Sequence, residues 1–124
     1  MPLPYTLSFE DRKDYLYVYV EGEEDLETAR EMATRTAREA SKLELNRILV
    51  VENTSNSIEG FDMFEFAESL HQYGFPNNTK IAFFDLRTDQ DEDNKFLETV
   101  AMNRGFQWKT CYSEKEGMKW LLDS

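Results

Sequence analysis

Carboxylates close to predicted strand ends are the residues of this sequence best placed for acid–base chemistry. Glu52 and Asp85 follow two apolar runs of strand-forming residues, and Asp62 lies at the start of a helix-like segment. A carboxyl group whose pKa is raised can act as a general acid or base near neutral pH. Their spacing does not distinguish these three from ordinary surface acids, so we expect no catalytic residue and no enzyme activity. Buried, convergent carboxylates would reopen that question.

Two patterns could hold a metal ion. The stretch Asp89–Asn94 alternates aspartates in the manner of a calcium loop, but such a loop needs Gly at its sixth position and Glu at its twelfth. Those positions are Asn94 and Val100. Glu68 and His71, three residues apart on a predicted helix, supply two zinc ligands where at least three are usual. We therefore expect no metal site and no cofactor.

The single cysteine, Cys111, lies in a predicted strand, forty positions beyond the only histidine. A reactive thiol needs a histidine or cationic neighbour that lowers its pKa, so we expect an inert thiol. One cysteine forms no internal disulfide, and residues 1–9 do not read as a secretion signal. These features favour a cytoplasmic protein.

The charge balance excludes several partners. The 124 residues include 14 basic and 25 acidic side chains, a formal net charge of −11. Such a surface repels nucleic-acid phosphates and anionic membranes. No apolar run approaches the 18 residues or so of a membrane span. We expect neither nucleic-acid binding nor a membrane span, and the charge favours solubility.

The elements expected to position these residues alternate along the chain. Tyr5–Glu10 and Tyr15–Val20 predict an antiparallel hairpin, and Asp25 is a plausible N-cap for a helix from Leu26 to about Leu43. Further strands are predicted at Ile48–Val51, Ile81–Phe84 and Phe106–Cys111, each followed by a helix: Phe61–Tyr73, about Asp89–Arg104, and a last one capped by Ser113. The order ββαβαβαβα predicts a mixed, mostly parallel α/β sheet with helices packed on it. A polar loop is expected at Asn53–Ser57.

The predicted helix Phe61–Tyr73 carries more apolar residues than one buried stripe requires. Phe64, Ala67 and Leu70 share one face, whereas Met63 and Phe66 lie to its side. If the first set faces the sheet, Met63, Phe66 and Phe61 are left over. Such residues are typical of a partner surface or of the cover of an apolar pocket. A wide core face is the alternative.

The order of elements and three local sequences resemble the STAS domain, and in particular the stage II sporulation protein AA-like (SpoIIAA-like) group. The matching segments are the strand that runs into Gly22–Asp25, the central strand Arg47–Val51 and the closing helix Ser113–Leu121. The resemblance covers about Leu16 to Leu122 and implies a single STAS-like domain over residues 1–124. It also implies a regulatory, protein-interaction role.

One departure from this family concerns its phosphorylation switch. Anti-sigma-factor antagonists of the family carry an acid-Ser-Ser-Gly stretch after the central strand. Here Glu59 aligns with the acid, but Gly60 and Phe61 align with the two serines. We therefore expect the usual switch to be lost. Thr54, Ser55 and Ser57 lie just upstream, and Ser57 is the candidate substitute phosphoacceptor. Loop and capping roles are the alternative for these residues, and the more common one for Ser and Thr.

Two functional hypotheses follow. The first is a non-enzymatic interaction module that binds a protein partner or a second copy of itself. The second is a carrier or sensor of a small apolar, lipid-like ligand. Both use one predicted surface or pocket, which comprises Ser57, Glu59, Phe61, Asp62, Met63 and Phe66. A pocket beneath the second helix would favour the ligand, and a flat exposed apolar face would favour the partner.

Overall fold

A computed structural model describes residues 5–55, 60–87 and 91–123 of the chain. Its strands are β1 (Tyr5–Asp11), β2 (Leu16–Glu23), β3 (Arg47–Ser55), β4 (Lys80–Asp85) and β5 (Gln107–Cys111). Its helices are α1 (Leu26–Lys42), α2 (Gly60–Glu68), α3 (Asp91–Asn103) and α4 (Glu114–Leu122), with a 3-10 turn at Leu70–Tyr73. The predicted order of elements is confirmed.

The strands form one sheet in the order β1-β2-β3-β4-β5. The β1–β2 hairpin is antiparallel, with Phe9 opposite Val18, and every later pairing is parallel. Each parallel step is made through a helix, the usual crossover connection between parallel strands. The expected fold class, a mixed and mostly parallel α/β sheet with an opening hairpin, is confirmed.

Alternation along the strands produces two hydrophobic layers. Ile48 faces a large core beneath α1, α2 and α3, whereas its neighbour Leu49 faces a smaller core beneath α4. Both side chains are fully buried. The apolar run at the start of β3 is therefore covered on both faces, as its composition predicts.

Helix α1 begins as the sequence predicts. The Asp25 carboxylate accepts a hydrogen bond of 2.8 Å from the backbone N–H of Thr28, and the Thr28 hydroxyl accepts one of 2.8 Å from the backbone N–H of Asp25. This capping box satisfies two backbone donors at once. It fixes where the chain leaves β2 and enters the helix.

Two predicted boundaries are wrong. Asn53–Ser55 continues β3 instead of starting a loop, because pairing with β2 extends to Glu23 opposite Ser55 and the Thr54 side chain is buried. The second helix ends at Glu68 and continues as the 3-10 turn, which Gly74 terminates with a positive φ of 113°. Gly tolerates this left-handed conformation because it lacks a Cβ.

Candidate ligand-binding site

A cavity of about 90 Å³ lies between the sheet and helices α1, α2 and α3. Strand residues form its floor, and helix residues form its walls and roof. The lining is almost wholly apolar, and its polar residues are two glutamates, an asparagine and a threonine. The residues that line it are Val18, Val20, Glu24, Ala29, Met32, Ala33, Thr36, Ile48, Val50, Glu52, Met63, Phe66, Leu70, Phe75, Ile81, Phe83, Asn94, Leu97 and Trp108.

The strand alternation places one carboxylate of β3 on the cavity floor. Ile48, Val50 and Glu52 lie two residues apart, so their side chains point to the same face of the sheet. Glu52 is opposite Val20 on β2 and Asp85 on β4. These positions lie toward the carboxyl ends of parallel strands, where open α/β sheets tend to bind ligands.

Glu24 and Glu52 form a hydrogen-bonded carboxyl pair at this end of the cavity. Burial raises the pKa of Glu24 well above its usual value, and the charge of Glu52 raises it further. Burial also raises the pKa of Glu52, although the hydrogen bonds from Glu24 and Thr54 act against that rise. The Thr54 hydroxyl donates to Glu52 Oε1 over 2.8 Å. The pair therefore holds a proton more tightly than two separated glutamates would.

Asp85 adds a third carboxylate beside the pair, and its charge raises the pKa of both glutamates. Its own oxygens accept hydrogen bonds from Asn94 Nδ2 at 2.9 Å and from the backbone N–H of Arg87 at 2.8 Å. The Arg87 guanidinium donates to the backbone carbonyl of Thr54 over 3.3 Å. Asp85 is thus held in place by α3 and by the end of β4, and the cluster has a fixed geometry.

Trp108, on β5, also lines the cavity. Its ring stacks on Phe83 with centroids 5.9 Å apart, and the residue is 6% exposed. Within the described structure, its indole Nε1–H is buried and has no hydrogen-bond partner. An unpaired buried donor costs free energy, and buried polar groups are normally satisfied by protein or by another molecule.

The residues predicted from sequence are distributed as follows. Met63 is 5% exposed, Phe66 is partly buried, and both line the cavity, so these leftover apolar residues face inward. Asp62 is exposed on α2 and is absent from the described lining. Phe61 lies in the first turn of α2, but its side chain is outside the described part of the structure, as are Ser57 and Glu59.

Of the three carboxylates considered for acid–base chemistry, Glu52 and Asp85 lie together in the structure. Asp62 lies elsewhere, and Glu24 is the third carboxylate of the cluster. A signal for Glu24 was present in the sequence. Val18, Val20 and Glu24 are separated by even numbers of residues along one extended segment, and such residues point to the same face of the sheet. The free N–H of Trp108 had no sequence signal, because it depends on what packs around the indole.

The other sequence candidates occupy ordinary structural positions. His71 is exposed, contacts the Asn77 side chain and packs on the Phe106 ring at 4.5 Å. Glu68 pairs with Arg104 at 3.5 Å. No group of three or more candidate metal ligands occurs among the described residues. Part of the calcium-like stretch lies outside them, and its last member, Asn94, is buried against Asp85.

Cys111 is buried in β5 on the α4 side of the sheet. Burial raises the pKa of its thiol to about 11. Since the thiolate is the reactive species, this raised pKa favours an unreactive thiol at neutral pH.

The arrangement of strands and helices is a SpoIIAA-like α/β fold. A similar solved structure is an uncharacterised protein of the DUF3478 family, with a SpoIIAA-like fold, from Shewanella loihica PV-4. The similarity covers 94% of this chain and 93% of that chain, with a TM-score of 0.55 and 11% sequence identity. No protein-family model and no curated protein matches the sequence. At this identity the likeness establishes the fold, and it confirms the resemblance noted from sequence at that level.

Among the described residues, no helix is both long enough and apolar enough to cross a bilayer.

Proposed function

We propose that this chain is a small-molecule-binding domain, and that the cavity beneath α2 is its binding site. The observation that carries the proposal is the placement of Met63 and Phe66. These surplus apolar side chains of α2 line a cavity on the sheet. A pocket in this place favours the ligand hypothesis over a flat partner surface.

The size and lining of the cavity restrict the ligand. An apolar cavity of roughly 150 Å³ accepts benzene, and this one measures about 90 Å³. By the same ratio, this cavity takes about four heavy atoms as it stands, and a larger ligand enters only if α2 moves outward. This size disfavours the lipid-like ligand considered from sequence and favours a small amphiphile, held by its apolar body and oriented by the few polar groups.

Binding without catalysis is the simpler use of the carboxyl pair. Glu24 and Glu52 could exchange a proton with a bound molecule, which is the chemistry that convergent carboxylates permit. The described lining contains no Ser, Cys, His or Lys side chain, and the hydroxyl of Thr36 donates to the backbone carbonyl of Met32. A carboxylate, or water activated by one, would be the remaining nucleophile. We retain the expectation of no enzyme activity as part of the proposal.

The first experiment is native mass spectrometry of the protein purified gently from the cells that make it. We expect an added small mass that disappears on denaturation. Because weak ligands are lost on purification, a titration with 1-propanol followed by ¹H–¹⁵N NMR complements it. We expect saturable shifts confined to cavity residues.

Two matched variants locate the binding. Met63→Trp places an indole in the cavity, whereas Met102→Trp makes the same change on α3 at a residue that is 56% exposed. Ala33→Leu fills the cavity from α1 instead. Binding should be lost in the Met63 and Ala33 variants and kept in the Met102 variant. Equal binding by all three folded variants would refute the site, and no saturable binding of any probe would refute the function.

A protein-interaction role is the second candidate, as the family resemblance implies. The observation that favours it is an apolar pair on α4, Met118 and Leu122, which are one helical turn apart and 38% and 41% exposed. Such a pair suits contact with a second copy or another protein. Light scattering at increasing concentration tests self-association: Met118→Glu should abolish any dimer, and a monomer at every concentration argues against one.

A further inference from the structure

Helix α2 is attached to the rest of the protein differently from the two other helices around the cavity. On α1, Arg35 donates to the Tyr5 hydroxyl of β1 over 3.3 Å, and on α3, the Asn94 amide donates to Asp85 of β4 over 2.9 Å. Among the residues that the structure describes, no hydrogen bond joins α2 to a strand. Of the three helices, α2 is therefore the one least firmly tied to the sheet.

Two ion pairs join α2 to its neighbouring helices instead. Glu65 pairs with Arg30 of α1 at 3.4 Å, and Glu68 pairs with Arg104, which directly follows α3, at 3.5 Å. The four side chains are between 38% and 49% exposed. Ion pairs this exposed are weak, and salt screens them. One such pair on each flank therefore holds α2 over the cavity, and both break at a small cost in free energy.

The 3-10 turn after α2 belongs to the same structural unit as the helix. The Tyr73 hydroxyl donates to the backbone carbonyl of Phe66 over 3.1 Å, and the two rings stack with centroids 5.3 Å apart. The unit ends at Gly74, which has a φ of 113°. Hinge motions concentrate at such ends of elements. Residues 60–73, here called the flap, are therefore able to move together.

Resting on the function proposed above, we propose that the flap controls which ligands the cavity accepts: it moves outward for larger ligands, and the pairs Arg30–Glu65 and Arg104–Glu68 hold it closed. The closed cavity of about 90 Å³ takes about four heavy atoms. A ligand of that size binds with both pairs intact. A larger ligand binds only the open form and shifts the population toward it, so its affinity is lowered by the strength of the two pairs.

The test compares two uncharged probes that differ only in length, 1-propanol with four heavy atoms and 1-hexanol with seven. The double variant Glu65→Gln/Glu68→Gln removes both ion pairs. Glu10→Gln is the matched control, because it breaks an equally exposed type of pair, with Arg12 at 3.3 Å, on the β1–β2 hairpin. Affinities are measured by NMR titration at about 50 mM and about 500 mM sodium chloride, since salt screens exposed charges.

We expect 1-hexanol to bind the wild type, and to bind the double variant about two- to tenfold more tightly at low salt, since one exposed ion pair changes an equilibrium by at most about fivefold. This difference should shrink at high salt, where the pairs of the wild type are screened. 1-Propanol should bind both proteins equally, which shows that the closed cavity is unchanged. Glu10→Gln should match the wild type with both probes.

The other outcomes separate failure of this inference from failure of the proposed function. If 1-propanol binds in the cavity and 1-hexanol binds neither protein, the flap does not open, and the ligand site stands without it. Equal binding of 1-hexanol to the wild type and the double variant at low salt would overturn the role of the ion pairs. Equal gains for both probes would place the change in the cavity and also overturn the inference. If neither probe binds in a Met63-dependent way, both proposals fail.

Discussion

The buried carboxyl pair makes the stability of this protein depend on pH in a predictable direction. The pKa values of Glu24 and Glu52 are raised in the folded chain, first by burial and then by neighbouring acidic groups. An unfolded glutamate titrates near pH 4.3. Above that pH the folded state therefore binds more protons at the pair than the unfolded state does. By linkage, this pair's contribution to stability is fully present below about pH 4.3 and declines as the pH rises toward the folded-state pKa.

The substitution Glu24→Gln keeps the hydrogen bond to Glu52 without the need for a bound proton. A glutamine amide can donate to Glu52 at every pH, whereas Glu24 donates only when it is protonated. In the window between the unfolded and folded pKa values, one extra bound proton corresponds to a slope of at most about 1.4 kcal/mol per pH unit. We expect the free energy of unfolding of the variant, relative to wild type, to rise with pH by up to that amount per unit.

The assay is urea unfolding followed by far-ultraviolet circular dichroism at pH 5, 6, 7 and 8. Asp85 and Asp25 also lie near the pair. Their contributions to stability, and those of groups elsewhere in the chain, are present in both proteins. The comparison with wild type cancels them to first order. Glu23→Gln should give a line parallel to wild type. Parallel lines for Glu24→Gln as well would refute the shared proton and the cluster geometry on which it depends.

Three further predictions concern packing, capping and the thiol. A Cβ added at Gly117 would lie 2.7 Å from Leu49 Cδ1. Gly117→Ala should therefore cost about 1–3 kcal/mol through overpacking, more than the gain in helix propensity of about 1 kcal/mol. Urea unfolding measures the difference in stability, and a more stable variant would contradict the prediction. Asp25→Ala should lose about 1 kcal/mol because Thr28 loses its cap, while Asp25→Asn retains most of it in the same assay. Cys111, with a thiol pKa of about 11, should react with iodoacetamide at pH 7 far more slowly in the native protein than in urea, and equal rates would exclude its burial.

The fold could be predicted because its signals are local. β2 and β3 are dense in strand formers, Asp25 and Ser113 cap helices with their own side chains, and Gly74 and Gly105 end segments with positive φ. Each signal depends on a few adjacent residues. The boundary errors arose where tertiary pairing prevailed over composition. Asn53–Ser55 is polar, yet it continues β3 because β2 pairs alongside it.

The site could be predicted only in part, because a cavity is a property of packing. The sequence indicated surplus apolar residues at Met63 and Phe66 but not the space between them and the sheet. The ends of the predicted strands indicated Glu52 and Asp85. The third carboxylate was predicted to be Asp62, whereas in the fold it is Glu24. Helix α2 presents Asp62 to solvent. Glu24 enters the cluster because the extended chain carries it past Gly22 on the same face as Val20.

The carboxyl pair and the unpaired indole have a common implication for function. Both cost folding free energy, since burial disfavours a carboxylate and an unpaired N–H forfeits its hydrogen bond to water. A glutamine at position 24 would retain the hydrogen bond to Glu52 without that cost, and a phenylalanine at position 108 would keep the stacking on Phe83. Destabilising arrangements of this kind concentrate at functional sites. If Glu24→Gln both stabilises the protein at high pH and weakens ligand binding in the cavity, one substitution will connect the cost to the binding. Stabilisation with binding unchanged would separate them, and the carboxyl pair would then need another explanation.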